Sequence, residues 1–138
     1  PMSDQVKQGQ VKVGDTLPPR EIAITTSLIV SGALATRDFQ KVHHDKAVAQ
    51  ASGMPDVFMN ILTTQGLTET YLRDWCGRDA VFRKLTIHLG APNIPGTTMT
   101  MSGEVKSCAD GLVEVEVVGQ NSQWGMHVKA QATIALPA

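Results

Sequence analysis

Apolar residues recur every three or four positions before Gly77 and every two after it, and few folds accept that order. In 58–75, Phe58 and Leu62 stand four apart, as do Leu67, Tyr71 and Trp75, with Ile61 beside them. This spacing predicts a helix over 58–75 with one buried stripe. Gly66 inside it costs about 1 kcal/mol against Ala, so another backbone is expected to pass close by. Gly77 ends the helix. Beyond it, Val81, Leu85, Ile87 and Leu89 alternate through 80–89, and Met99, Met101 and Val105 through 97–105; segments 112–118 and 126–136 complete the set. A turn at 91–96 and an Asp110-Gly111 hairpin signal separate them. One long helix followed by four strands on tight connections reads as α+β, an antiparallel sheet with the helix covering a face.

The first half is less regular. Residues 1–16 are polar and without period, and are expected to form a mobile lead-in; 17–138 make a single domain. A turn is expected at 15–19 and a short strand at 20–25. Thr25 or Thr26 is a plausible N-cap for a helix through Leu28, Ile29, Leu34 and Ala35. A short helix follows at 46–51, broken by Gly53-Met54-Pro55-Asp56. Aromatics make up only 4% of the 138 residues, so Leu, Ile, Val, Met and Ala must fill the core. The formal net charge of -1 gives no electrostatic footprint for nucleic acid. No apolar run is long enough to span a membrane. Cys76 and Cys108 lie far apart without metal-ligand spacing, as expected of reduced thiols in a cytoplasmic protein.

Chemistry gathers in Thr36-Arg37-Asp38-Phe39-Gln40-Lys41-Val42-His43-His44-Asp45. Asp38 and His43 are five apart, a spacing that no straight helix places on one face. A turn through Phe39-Gln40-Lys41 would let carboxylate and imidazole share one water, the equipment for moving protons. On spacing alone the simpler reading is a helix-capping Asp38 and a surface His43. His44 would replace His43 if the register slips by one. Asp45 reads as the cap of the next helix. A metal site at His43-His44-Asp45 would need further ligands, and none is expected. His88 and His127 read as ordinary strand residues, and Tyr71 and Trp75 as core.

With these residues in view, the chain resembles the MaoC-like (R)-specific enoyl-CoA hydratases, whose hot-dog fold wraps an antiparallel sheet around one long helix. Their pattern is a small residue, Gly, Asp, any residue, Asn, Pro, an aliphatic and His. Thr36, Asp38, Val42 and His43 match it, and Ala49 matches the small residue six positions on. Pro92-Asn93-Ile94-Pro95-Gly96 resembles the family's Pro-x-x-Pro-Gly turn. Arg37, Gln40 and Lys41 depart from the Gly, Asn and Pro. Met59-Asn60 stand in place of a His-Gly pair whose Gly amide faces the thioester carbonyl, and His88 replaces an Arg. Ala35-Thr36-Arg37-Asp38-Phe39-Gln40 with Asn60-Ile61-Leu62-Thr63, Gly66-Leu67 and Asp74-Trp75 resemble the catalytic small subunit of two-subunit actinobacterial steroid side-chain enoyl-CoA hydratases.

The resemblance reverses the simpler reading of the Asp–His pair. It implies that Asp38 and His43 are catalytic and that backbone N–H groups at Met59 and Asn60 contact the thioester oxygen. It implies no cofactor, the CoA thioester being the substrate, with the product a 3-hydroxyacyl-CoA. The acyl group would be bulky and steroid-derived, and the partner a second MaoC-like chain, with homodimers open to the chain alone. Which of Asp38 and His43 is the base stays open. Arg73, Arg83 and Lys84 could meet the CoA phosphates, though a solvated face is their ordinary role. Two other classes stand beside this one: a hot-dog acyl-CoA thioesterase, and a non-catalytic acyl-CoA-binding subunit.

Overall fold

A computed structural model describes residues 4–138. Strand β1 (Thr16–Ile24) leads into helix α1 (Thr26–Ala35), a 3-10 turn (Lys41–His43), α2 (Lys46–Ala51) and the long α3 (Ile61–Cys76). Strands β2 (Val81–Leu89), β3 (Thr97–Ala109), β4 (Leu112–Asn121) and β5 (Gly125–Ala135) follow. The five strands form one antiparallel sheet in the order β1-β3-β4-β5-β2. Its inner residues, among them Met99, Met101, Val105, Val115, Val117 and Ile134, pack on Tyr71, Leu72 and Cys76 of α3. The α+β reading holds.

Turn chemistry was legible. Asp110 and Gly111 both take left-handed φ, 55° and 77°, the type I′ geometry that matches strand twist. Thr25 caps α1 through Leu28 N, and Asp45 caps α2 through Val48 N. The connections are less simple than expected. β2 and β3 are not neighbours: β2 lies at the far edge beside β5, and residues 90–96 carry the chain across to β3. Pro18 and Pro19, expected in a turn, lie inside β1 at a register shift between Leu17 and Arg20. An edge strand tolerates prolines because nothing asks for their missing N–H. The other edge, β2, contains none.

α3 starts later than the apolar repeat suggests. Asn60 is its N-cap, Oδ1 accepting from Thr63 N at 3.2 Å, and Phe58 lies outside it. The buried face is Thr63, Thr64, Thr68, Tyr71, Leu72 and Cys76. Ile61 and Leu62, expected in the stripe, are 49% and 46% exposed. The threonines take their place because each hydroxyl has a partner: Thr63 Oγ1 donates to Asn60 Oδ1, Thr68 Oγ1 donates to Thr64 O at 2.9 Å, and Thr64 Oγ1 bonds the His127 ring. α1 crosses α3 closely at Gly32, where a Cβ would collide with the Thr63 side chain. At Gly66, among the described residues, nothing beyond its chain neighbours and its own helix backbone lies within 4 Å of where a Cβ would sit, so the expected close approach of another backbone is not seen there.

Thr64 also ties the helix to the sheet. His127 is buried on β5, and its Nδ1 lies 2.7 Å from Ala91 O. A carbonyl only accepts, so Nδ1 carries the hydrogen and Nε2 accepts from Thr64 Oγ1 at 2.8 Å. Helix, strand and the 90–96 crossing thus meet at one ring. The expected lead-in is also held down from residue 5 onward. Gln5 Nε2 donates to Cys76 O and Gln8 Nε2 to Leu136 O, each at 2.8 Å. Polar composition gave no sign that glutamine amides would serve as ties; residues 1–3 lie outside the described residues.

Two outcomes follow from these contacts. Arg37 sits at φ 58° directly after α1, a region that disfavours a β-carbon by about 1–2 kcal/mol. Arg37→Gly should therefore leave stability unchanged or raise it by up to about 1 kcal/mol in urea denaturation, the added chain entropy offsetting the relief. Burial pushes the His127 pKa down, against the Ala91 bond that raises it. An unfolded histidine titrates near 6.5, so below that pH the unfolded chain takes a proton that the native ring refuses. The denaturation midpoint should fall as pH drops from about 7 towards about 5, less steeply in His127→Gln. Equal slopes would mean that the native ring charges freely.

Candidate active site

The end of α1 and the start of α3 build the site between them. The Thr36 hydroxyl donates to Gly32 O at 2.8 Å, Arg37 turns the chain, and Asp38 N returns to Ala33 O at 2.9 Å. This sets the Asp38 carboxylate beside the first turn of α3. The 3-10 turn then raises His43, which is 5% exposed. Its Nδ1 lies 2.7 Å from Phe58 O, so the hydrogen is on Nδ1 and Nε2 presents a lone pair when the ring is neutral. Nε2 faces Asp38 Oδ2 at 3.3 Å. Two acceptors so placed can each take one hydrogen from a single water. The Phe58 ring meets the imidazole edge-on at 5.0 Å between centroids.

Asn60 stands behind the carboxylate. Its Nδ2 donates to Asp38 Oδ2 at 3.1 Å and to Thr36 Oγ1 at 2.9 Å. Gln40 N donates to Asp38 Oδ1 at 3.3 Å. The Asn60 bond holds the Asp38 carboxyl below the usual carboxylate range; partial burial opposes it, while the Gln40 N–H and the His43 ring reinforce it. A cleft of ≈ 500 Å³ opens in front of the pair, within the range of small-molecule sites. Met54, Phe58, Ile61, Leu89 and Pro92 give it apolar walls, and His127 lines it too.

The two residues expected to contact a thioester oxygen differ. Met59 N donates to Asn93 O at 3.1 Å, so that N–H is occupied; the 90–96 crossing, invisible to local sequence, takes it. Among the described residues no acceptor lies on Asn60 N–H, which sits at the positive end of α3. His44 is exposed at the end of the 3-10 turn, so His43 is the imidazole brought to Asp38. Asp45 is engaged at the α2 cap. His88 is exposed on β2 opposite Lys129. Arg73 donates to Gly77 O at 3.1 Å and to Ala80 O, and its guanidinium lies 4.5 Å from the Phe82 ring centroid. Arg73, Arg83 and Lys84 do not line the cleft. The Asn60 side chain and His127 were missed as parts of the site. Asn60-x-x-Thr63 ahead of a helical repeat was a readable N-cap signal; nothing local marked His127.

No protein-family model matches the chain. The 3-oxo-4,17-pregnadiene-20-carboxyl-CoA hydratase beta subunit of Mycobacterium tuberculosis is 45% identical over 124 residues, 90% of this chain and 95% of that one. A chain of the ChsH1-ChsH2 complex from Mycobacterium tuberculosis superposes with a TM-score of 0.88 at 45% identity, covering 91% of this chain and 98% of that one. R-hydratase PhaJ1 from Pseudomonas aeruginosa gives a TM-score of 0.88 at 17% identity, over 96% and 86% of the two chains, and shares the fold. The sheet curled on α3 is therefore the hot-dog fold. Among the described residues no helix is long and apolar enough to cross a membrane. An identity of 45% across nine-tenths or more of both chains settles the matter of descent: the chain belongs to the MaoC-like hydratase family, in the branch of the 3-oxo-4,17-pregnadiene-20-carboxyl-CoA hydratase beta subunit.

Proposed function

We propose that the chain is the catalytic subunit of a two-chain enoyl-CoA hydratase that adds water to a 2-enoyl-CoA with a bulky steroid-derived acyl group. The observation that carries this is Asp38 Oδ2 and His43 Nε2, 3.3 Å apart in the apolar cleft at the start of α3. A water donates one hydrogen to each and turns a lone pair to Cβ of the enoyl group. Both Asp38 oxygens already accept hydrogen bonds, which weakens the carboxylate as a base. Among the described residues His43 Nε2 has no such donor, so His43 takes the proton and Asp38 balances the imidazolium. The negative charge that reaches the thioester oxygen meets Asn60 N–H and the positive end of α3. The imidazolium then gives its proton to Cα on the same face. Water is thereby added whole, and the CoA thioester is the only coenzyme in the reaction.

The relative's printed name supports the acyl group, since a pregnadiene carboxyl-CoA is a polycyclic thioester. The two-protein complex of similar structure supports a second hot-dog partner. In this chain β2 is an edge strand without proline, and exposed Ile61 and Leu89 line the cleft. Unpaired edges invite pairing, so β2 is the edge offered to the partner, or to a second copy when the chain is alone. Free Cys76 and Cys108 suit a reducing, cytoplasmic setting.

With the partner present, Asp38→Asn and His43→Ala should each lower turnover by about 10²–10⁴-fold while circular dichroism stays that of the parent. His44→Ala should do far less. The product should be a 3-hydroxyacyl-CoA; release of free CoA would mark a thioesterase instead. Near-normal turnover in either variant would remove that residue from the mechanism. Mass in solution should show a two-chain or larger active species, and an active monomer would overturn the pairing.

A further inference from the structure

We propose that Asn60 is a positioning residue whose side-chain amide fixes the Asp38 carboxylate opposite His43; this rests on the hydratase reading above. The amide can point only one way. The Thr36 hydroxyl gives its hydrogen to Gly32 O at 2.8 Å, so towards Asn60 it can only accept, and it does so from Nδ2 at 2.9 Å. At the other end, Thr63 N–H donates to Oδ1 at 3.2 Å, and the Thr63 hydroxyl donates to the same oxygen. Acceptors at one end and donors at the other forbid a flip. One hydrogen of Nδ2 is left, and it goes to Asp38 Oδ2 at 3.1 Å.

That oxygen is the one facing His43 Nε2. Asn60 is 2% exposed, so solvent is kept from taking over its bonds. A donor held against one carboxylate oxygen favours the charged form and fixes the direction of its free lone pairs. The same residue caps α3. Capping and carboxylate positioning are therefore two uses of one amide, and a test must separate them.

Asn60→Ser separates them, because serine caps a helix about as well as asparagine but is too short to reach Asp38. Asn60→Asp also keeps the cap and puts a second carboxylate in place of the donor. Three readouts apply to the full chain: thermal unfolding, carbon-13 titration of the Asp38 carboxyl with Asp38→Asn to identify its signal, and turnover with the partner on a polycyclic 2-enoyl-CoA. In Asn60→Ser the unfolding temperature should stay near that of the parent. Asp38 should titrate at higher pH, and turnover should fall about tenfold or more, as for a lost hydrogen bond to a charged group. Asn60→Asp should move the titration further the same way, since neighbouring carboxylates resist ionising together. An unchanged Asp38 titration in Asn60→Ser, or a loss of turnover that only tracks unfolding, overturns the proposal. If Asp38→Asn itself keeps its turnover, the hydratase reading fails instead, and the titration alone decides what Asn60 does.

Discussion

The residue at which α3 begins governs the arrangement of the cleft. A helix start leaves N–H groups without partners, and the Asn60 side chain answers one of them while its other end reaches Thr36 and Asp38. Asn60 also lines the cleft, and among the described residues no acceptor lies on its main-chain N–H. Had the helix begun at Phe58, as its apolar spacing suggested, the Phe58 carbonyl would have been drawn into the helix. It is instead the group that sets the His43 tautomer. Cap, carboxylate and imidazole all depend on one main-chain event.

That event shows where local sequence stops being informative. The change of period at Gly77, the Asp110-Gly111 turn and the caps at Thr25 and Asp45 depend on a few neighbouring residues, and each was legible. The Asp38–His43 pair was legible as a spacing, and resemblance to a family made it a candidate site. Met59 could not be judged from its neighbours, because the carbonyl that takes its N–H comes from Asn93, 34 positions on. The same is true of His127, whose partners Thr64 and Ala91 come from the helix and the crossing.

The inner face of α3 explains the misplaced stripe. Hydropathy ranks Thr63, Thr64 and Thr68 below Ile61 and Leu62, yet the threonines are inside and the larger residues outside. A buried hydroxyl is tolerated when it has a partner, and Thr64 and Thr68 find theirs in the helix backbone or the His127 ring. Threonine also keeps the first turn narrow, so that α1 can approach through Gly32. Of the apolar side chains left outside, Ile61 lines the cleft instead.

The two rims of the sheet differ in kind. Pro18 and Pro19 lie within β1, and Tyr71 Oη donates to Pro18 O at 2.8 Å, so part of that rim has few backbone groups to offer. The rim along β2 carries no proline. On the pairing proposed above, such a subunit would have a valence of one in sheet joining: β2 would take the neighbour, and the margins left at the ends of the joined sheet would be the proline-bearing ones. Growth by strand addition would then stop at the pair instead of running on into a fibre.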